Sequence, residues 1–326
     1  MFSLRDAAFA VRSDDSAPWS LRGAANRPMW PVMDITPISA LTFCRRYSRS
    51  GQELRALAAG TANAWSHVSR TTLVKQVRDR LRDPGIINQK KTSLCGPTSI
   101  VFELARRKPA RYVKAVRVLL ETGKILTYTD EVIEAQEDML ERELGPLAQV
   151  DWIFIATLRE EANTFEDVED GGDWEGYTLW GAMRDWTRDI LGLDSNGWET
   201  CFLSGEIDVM AKLRKSLNNG GVAFMLIDAS LLHDGGDDDE EEMWWRMAEH
   251  SADGALGGFG AKTHSEDDNN VLPDHWVPVL GGLKVTGDTD DEDTITVRVW
   301  SWAKEYELTG TAEALGEYLY AGAWGY

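Results

Sequence analysis

Residues Gln89 to Ile100 read QKKTSLCGPTSI, a polar, irregular segment that passes directly into the apolar run SIVFELARR. The run reads as a buried helix, which puts Cys95 in its first turn. A helix N-terminus carries unpaired backbone N–H groups and the positive end of the macrodipole, and both favour a thiolate. Pro97 suits the start of a helix, where it has no donor to lose, and Gly96 lets backbone come close to whatever docks over the sulfur. Helical segments before this stretch and strands after it give an expected α+β fold.

Two further residues turn the cysteine into a candidate nucleophile. Gln89 lies six residues before Cys95, so its amide and the Cys95 N–H make a donor pair for a developing oxyanion. Far downstream, Asp274-His275-Trp276 opens HWVPVLGGLKV, which reads as a strand. Histidine is the side chain suited to exchanging a proton with a thiol near neutral pH. His233, His250 and His264 fall in a less regular stretch and are weaker candidates, while Cys44 and Cys201 read as structural.

The order Gln89, Cys95 opening a helix, then His275 on a strand resembles the papain-like cysteine peptidase superfamily (clan CA). The LCGPTSI text is more similar to C39-like peptidases, which cut bacteriocin leaders, and to the papain-like effectors of bacterial type VI and other contact-dependent secretion systems. VDWIFIATLR, residues 150 to 159, also resembles those effectors. Thr92 and Gly96 stand where papain's own signature has a second cysteine and an aromatic residue. The resemblance implies a papain-like fold, with the helical part carrying the Cys helix packed on an antiparallel sheet carrying the His. It further implies a toxin injected into a neighbouring cell and an immunity or inhibitor protein as partner. In the superfamily an Asn or Asp on the next strand orients the imidazole. Here Val299-Trp300-Ser301-Trp302-Ala303 puts Trp300 at that place, which leaves a Cys-His dyad, Ser301 or a backbone carbonyl as the orienter.

Composition narrows the partners. With 34 Lys and Arg against 54 Asp and Glu, the formal charge is −20, so phosphate-backbone binding to a nucleic acid is not expected. Three cysteines without a CxxC pair and five histidines without HExxH or HxH spacing suggest neither a disulfide framework nor a metal, and no cofactor is expected. The opening MFSLRDAAFAVRSDD does not read as a Sec signal, and no run reaches the length of a membrane span. The expected location is therefore cytoplasmic, or secreted without a Sec signal.

Along the chain, residues 1–36 read as an extended arm ahead of one domain, 37–326, helical over about 37–220 and β-rich over about 221–326. Helices are expected at Ser39–Ala59, Thr71–Leu81, Pro109 to a stop at Gly123, Asp130–Glu143, Leu147–Glu160, Thr178–Leu191 and Glu206–Leu217. Strands are expected at Val222–Ile227, His275–Val285 and Thr294–Trp302, the last two joined through GDTDDEDT, with weaker signals at Tyr306–Leu308 and Tyr318–Ala323. Residues 229–273, with the acid run Gly235–Glu242, read as a mobile insertion beside the site; the acid run itself reads as solvated surface, since its spacing is not that of a calcium loop.

The chemistry expected is acyl transfer on a protein substrate, with peptide hydrolysis as the leading reading. A glutamine deamidase or transglutaminase uses the same thioester logic, and nothing in the sequence separates them. A non-catalytic binding module is the rival from another class, with the 14 tryptophans, among them Trp244, Trp245, Trp276, Trp300 and Trp302, as its recognition surface.

Overall fold

The computed structural model describes residues 37–90, 94–144, 147–164, 178, 180–232, 246–249, 275–286, 294–311, 315 and 318–326. In chain order the helices are α1 Pro37–Ala59, α2 Arg70–Arg82, α3 Cys95–Arg107, α4 Pro109–Thr122, α5 Glu137–Glu141, α6 Gln149–Thr164, α7 Trp180–Asp189 and α8 Cys201–Asn218. The strands are β1 Lys124–Leu126, β2 Val132–Glu134, β3 Asn196–Thr200, β4 Val222–Ile227, β5 Arg246–Glu249, β6 His275–Thr286, β7 Thr294–Ser301, β8 Lys304–Thr311 and β9 Leu319–Gly325. Together they make an α+β architecture, with β1 and β2 forming a small hairpin and the other seven one sheet in the order β3-β9-β4-β6-β7-β8-β5. Every neighbouring pair in that sheet is antiparallel.

The sheet divides two apolar layers. Val222, Phe224, Leu226, Trp276 and Trp300 face the side of α3 and the helices behind it. Ala223, Met225, Ile227, Val277 and Val299 face the other side, where Val209, Met210 and Leu213 of α8 cover them. Period-two alternation along β4, β6 and β7 thus feeds both layers at once, and β4, buried at every position, lies in the interior of the sheet. α3 is apolar nearly all round because it is enclosed: every residue from Cys95 to Ala105 is buried. α4 begins with Pro109 and stops at Gly123, whose φ of 72° takes the left-handed conformation while its N–H caps the Leu119 carbonyl.

The structure departs from the sequence expectations in four places. Residues 130–143 are not one helix: Val132–Glu134 pairs with Lys124–Leu126, and only Glu137–Glu141 is helical. Ile125 and Ile133, opposite one another, are both buried, and Asp130 turns between the strands with φ 62°. The helical half is therefore interrupted by β1 and β2, and also by β3, which pairs with β9 at the edge of the sheet. The stretch 229–273 is not irregular throughout, since Ala229–Leu232 is a 3-10 turn and Arg246–Glu249 pairs with β8. Tyr306–Leu308 is part of a full eight-residue strand that pairs along the whole of β7. The arm 1–36, the acid run 235–242, the connection 287–293 and the residues Asp274, His233, His250 and His264 lie outside the described residues. Among the described residues no helix is long and apolar enough to cross a membrane, and no cluster of His, Cys, Asp and Glu is arranged to hold a metal.

Candidate active site

α3 runs antiparallel to β4. Its C-terminal Arg107 donates to the Gly220 carbonyl just before β4, at 2.8 Å, and Ser99 near its start donates to the Trp276 carbonyl at 3.0 Å. The first turn of α3 therefore sits at the end of the sheet where Ile227 closes β4 and His275, its register partner, opens β6. Cys95 is buried there, 4% exposed, and is in no disulfide. No side chain caps the helix, whose N-cap is Leu94, and no acidic residue occupies its first turn. Glu103, the first carboxylate along it, is engaged by Arg106 at 2.7 Å and Arg107 at 2.5 Å, so its charge is answered at the far end of the helix.

His275 is buried, and its Nε2 lies 2.6 Å from Oγ of Ser301. The imidazole also stacks on the indole of Trp302, with ring centroids 4.4 Å apart and planes 16° apart. Ser301 and Lys304 pair across a two-residue turn in which Trp302 and Ala303 have φ of 45° and 66°. This is the turn geometry that follows the twist of a hairpin, and non-glycine residues at both positions hold it at a cost of about 1–2 kcal/mol each. Trp300 is not an orienter. Its ring stacks on Phe102 of α3 at 4.1 Å, on the opposite side of the sheet from Ser301, and its indole N–H reaches the Gly85 carbonyl at 3.3 Å.

Gln89 is buried in the loop that leads to α3, 6% exposed. Its neighbour Asn88 fixes that loop: Oδ1 accepts the Lys90 N–H at 2.6 Å, and Nδ2 donates to the Trp302 carbonyl at 3.5 Å. The Asn88 backbone also hydrogen-bonds the carboxylate of Asp151. Asp151 on α6 takes a two-pronged grip from Arg80 on α2, both bonds 2.6 Å, with both side chains buried. Burial pushes the Asp151 carboxyl up, opposed by the Arg80 guanidinium and the Asn88 N–H. A pair of this kind is costly to break because one charge is left behind without its partner.

The structure brings His275 and Ser301 into direct contact; Cys95 opens α3 near the end of the sheet where β6 begins with His275, and Gln89 lies in the loop ahead of α3. Alternation assigns His275 and Ser301 to the side of Val277 and Val299, whereas Trp276 and Trp300 turn toward α3. Cys201 is only half-buried, opens α8, and has its thiol pushed up to about 12 by burial and by the carboxylate of Glu206. Among the described residues nothing pairs it with another cysteine. Sequence reading missed Asn88, Ser99, Thr178 and the Arg80–Asp151 pair. Asn88 had a local signal, an Asn in a polar loop able to accept the N–H two residues on; the others act across the fold and had none. Compared with known protein families, curated proteins and solved structures, the chain matches none of them.

Proposed function

We propose that the chain is a papain-like cysteine peptidase working by acyl transfer. The observation that carries this reading is the 2.6 Å contact between His275 and Ser301, at the end of the sheet where Cys95 begins its helix. Ser301 holds Nε2, which leaves Nδ1 as the ring nitrogen to exchange the proton with the thiol. The Cys95 thiolate attacks an amide carbon; the S–C bond forms and the carbonyl π electrons move to oxygen. The Gln89 amide and the Cys95 N–H stabilise that oxyanion. Collapse expels the amine, which leaves with the proton carried by His275, and water then cleaves the thioester to the acid and regenerates the thiol. A glutamine deamidase runs through the same steps with ammonia as the leaving group. The setting implied by the resemblance is a toxin effector acting on a protein of a neighbouring cell and held in check by an immunity protein.

The test is limiting iodoacetamide across pH 4 to 9, read by peptide mass spectrometry on the native protein. Cys95 is expected to label well below the pH at which Cys201 reacts, and more slowly in His275→Ala. In the same series, expression in a bacterial cytoplasm is expected to be toxic for the wild type and harmless for Cys95→Ala. Labelling of Cys95 no faster than Cys201 overturns the catalytic reading in favour of a binding module, and equal toxicity overturns the effector setting.

A further inference from the structure

Thr178 lies beside the nucleophile and is left with an unused hydroxyl. It is 4% exposed, and among the described residues its Oγ1 has no hydrogen-bond partner. Its position is fixed from two sides. Its carbonyl accepts the indole N–H of Trp276 at 2.7 Å, and its side chain rests against the Gly96 backbone so closely that a Cβ at Gly96 would stand 2.5 to 2.7 Å from Cγ2, Oγ1 and Cβ of Thr178. Gly96 is therefore required here by contact, and the contact puts the hydroxyl at the first turn of α3, next to Cys95. That turn has no side-chain cap, and Pro97 brings no N–H to it. A second hydroxyl on the same turn, Thr98 Oγ1, is likewise buried without a partner.

Buried hydroxyls are nearly always paired, because an unpaired one loses its water for nothing. Two of them flanking an uncapped helix start make a donor-rich spot that lacks an acceptor among the described residues. We propose that Thr178 is a further substrate-binding residue: its hydroxyl donates to the carbonyl oxygen of the group that Cys95 attacks, beside the donors already assigned to Gln89 and the Cys95 N–H. This rests on the acyl-transfer reading, and it names the ligand chemistry of the spot as an amide carbonyl that becomes an oxyanion.

N-acetylglycinal separates the two claims. Its addition to the Cys95 thiol forms the S–C bond and moves the carbonyl π electrons to an oxygen that takes the thiol proton, so the adduct carries the tetrahedral oxygen. Iodoacetamide reacts at a saturated carbon and develops no such oxygen. In Thr178→Val the hemithioacetal is expected to weaken by about a hundredfold, as for loss of one oxyanion donor. Iodoacetamide labelling of Cys95 stays unchanged, and Tm rises by about 2–4 °C because an unpaired hydroxyl has been removed. Thr178→Ser restores the aldehyde affinity; if Thr178→Val fails to fold, Thr178→Ala against Thr178→Ser reads the same hydroxyl. Equal aldehyde affinity in wild type and Thr178→Val overturns the assignment while leaving the nucleophile intact. A wild type that forms no hemithioacetal, with Cys95 labelling no faster than Cys201, overturns the acyl-transfer reading and the Thr178 role with it.

Discussion

Cys95 and Cys201 occupy the same local position: each is the first residue of a helix, and neither helix has a side-chain cap. Their surroundings differ. α3 continues unbroken for 13 residues, with its only carboxylate, Glu103, held by two arginines. α8 is broken after one turn at Gly205, φ 76° and ψ 160°, and the carboxylate of Glu206 follows at once. A single turn offers little macrodipole, the burial of Cys201 disfavours charge, and Glu206 disfavours it further, so the thiol is driven up to about 12. A helix start alone does not make a reactive cysteine. Under the proposed acyl-transfer reading, Cys95 adds to it a continuous helix, an answered carboxylate and a histidine that opens the strand near the same end of the sheet.

The largest effect is expected from removing the buried Arg80–Asp151 pair that braces the loop leading to Cys95. Asp151→Ala leaves the Arg80 guanidinium buried without its partner and releases the Asn88 backbone, so unfolding free energy is expected to fall by about 3–5 kcal/mol. Urea denaturation checks this, and an unchanged midpoint would remove the ion pair from the account of how the Gln89 loop is held.

A smaller effect tests the proton partner. Ser301→Ala is expected to slow iodoacetamide labelling of Cys95 near neutral pH by roughly tenfold, a fraction of what a general base contributes, while Cys201 is unaffected. Ser301→Thr, which keeps the hydroxyl, is expected to retain the rate. Equal rates in wild type and Ser301→Ala would mean that the imidazole is oriented by the Trp302 stack alone.

The smallest effect works from the other side. Glu206→Gln removes the nearby negative charge that raises the Cys201 thiol, so its pKa falls and more thiolate is present at any pH below it. Alkylation of Cys201 at pH 9 is expected to rise a few-fold and no more, because burial, the larger cause, stays in place. A rise that brought Cys201 level with Cys95 would make charge, rather than the continuity of the helix and the imidazole, the source of the difference.

The elements that could be read locally were those whose neighbours repeat along the chain. VAFMLI at 222–227 is apolar at every position because it lies between β9 and β6, and the stop at Gly123 follows from the left-handed residue that ends a helix. The helix start at Cys95 and the strands that carry His275 and Ser301 were legible for the same reason: such elements announce themselves in short windows. β3 was not legible. It is a sheet edge with four half-buried positions in a row, so no alternation marks it. The β1–β2 hairpin escaped because each strand is three residues long, too short for alternation to show, and β2 runs almost directly into the helical Glu137–Glu141.

By itself, then, the sequence determined the α+β class, the order of helix-borne cysteine and strand-borne histidine, and a short list of candidate residues for the proposed chemistry. Tertiary structure alone decided which of them touch. Burial of Trp300 under Phe102 removes it as an orienter and leaves Ser301 on the His275 side. The Arg80–Asp151 pair, the Ser99 tie to β6 and the seat of Thr178 on Gly96 join residues 71, 177 and about 80 positions apart. The physical reason is that periodicity and caps are written in neighbouring residues, whereas ion pairs, hydroxyl contacts and the face a side chain takes exist only once the layers have packed.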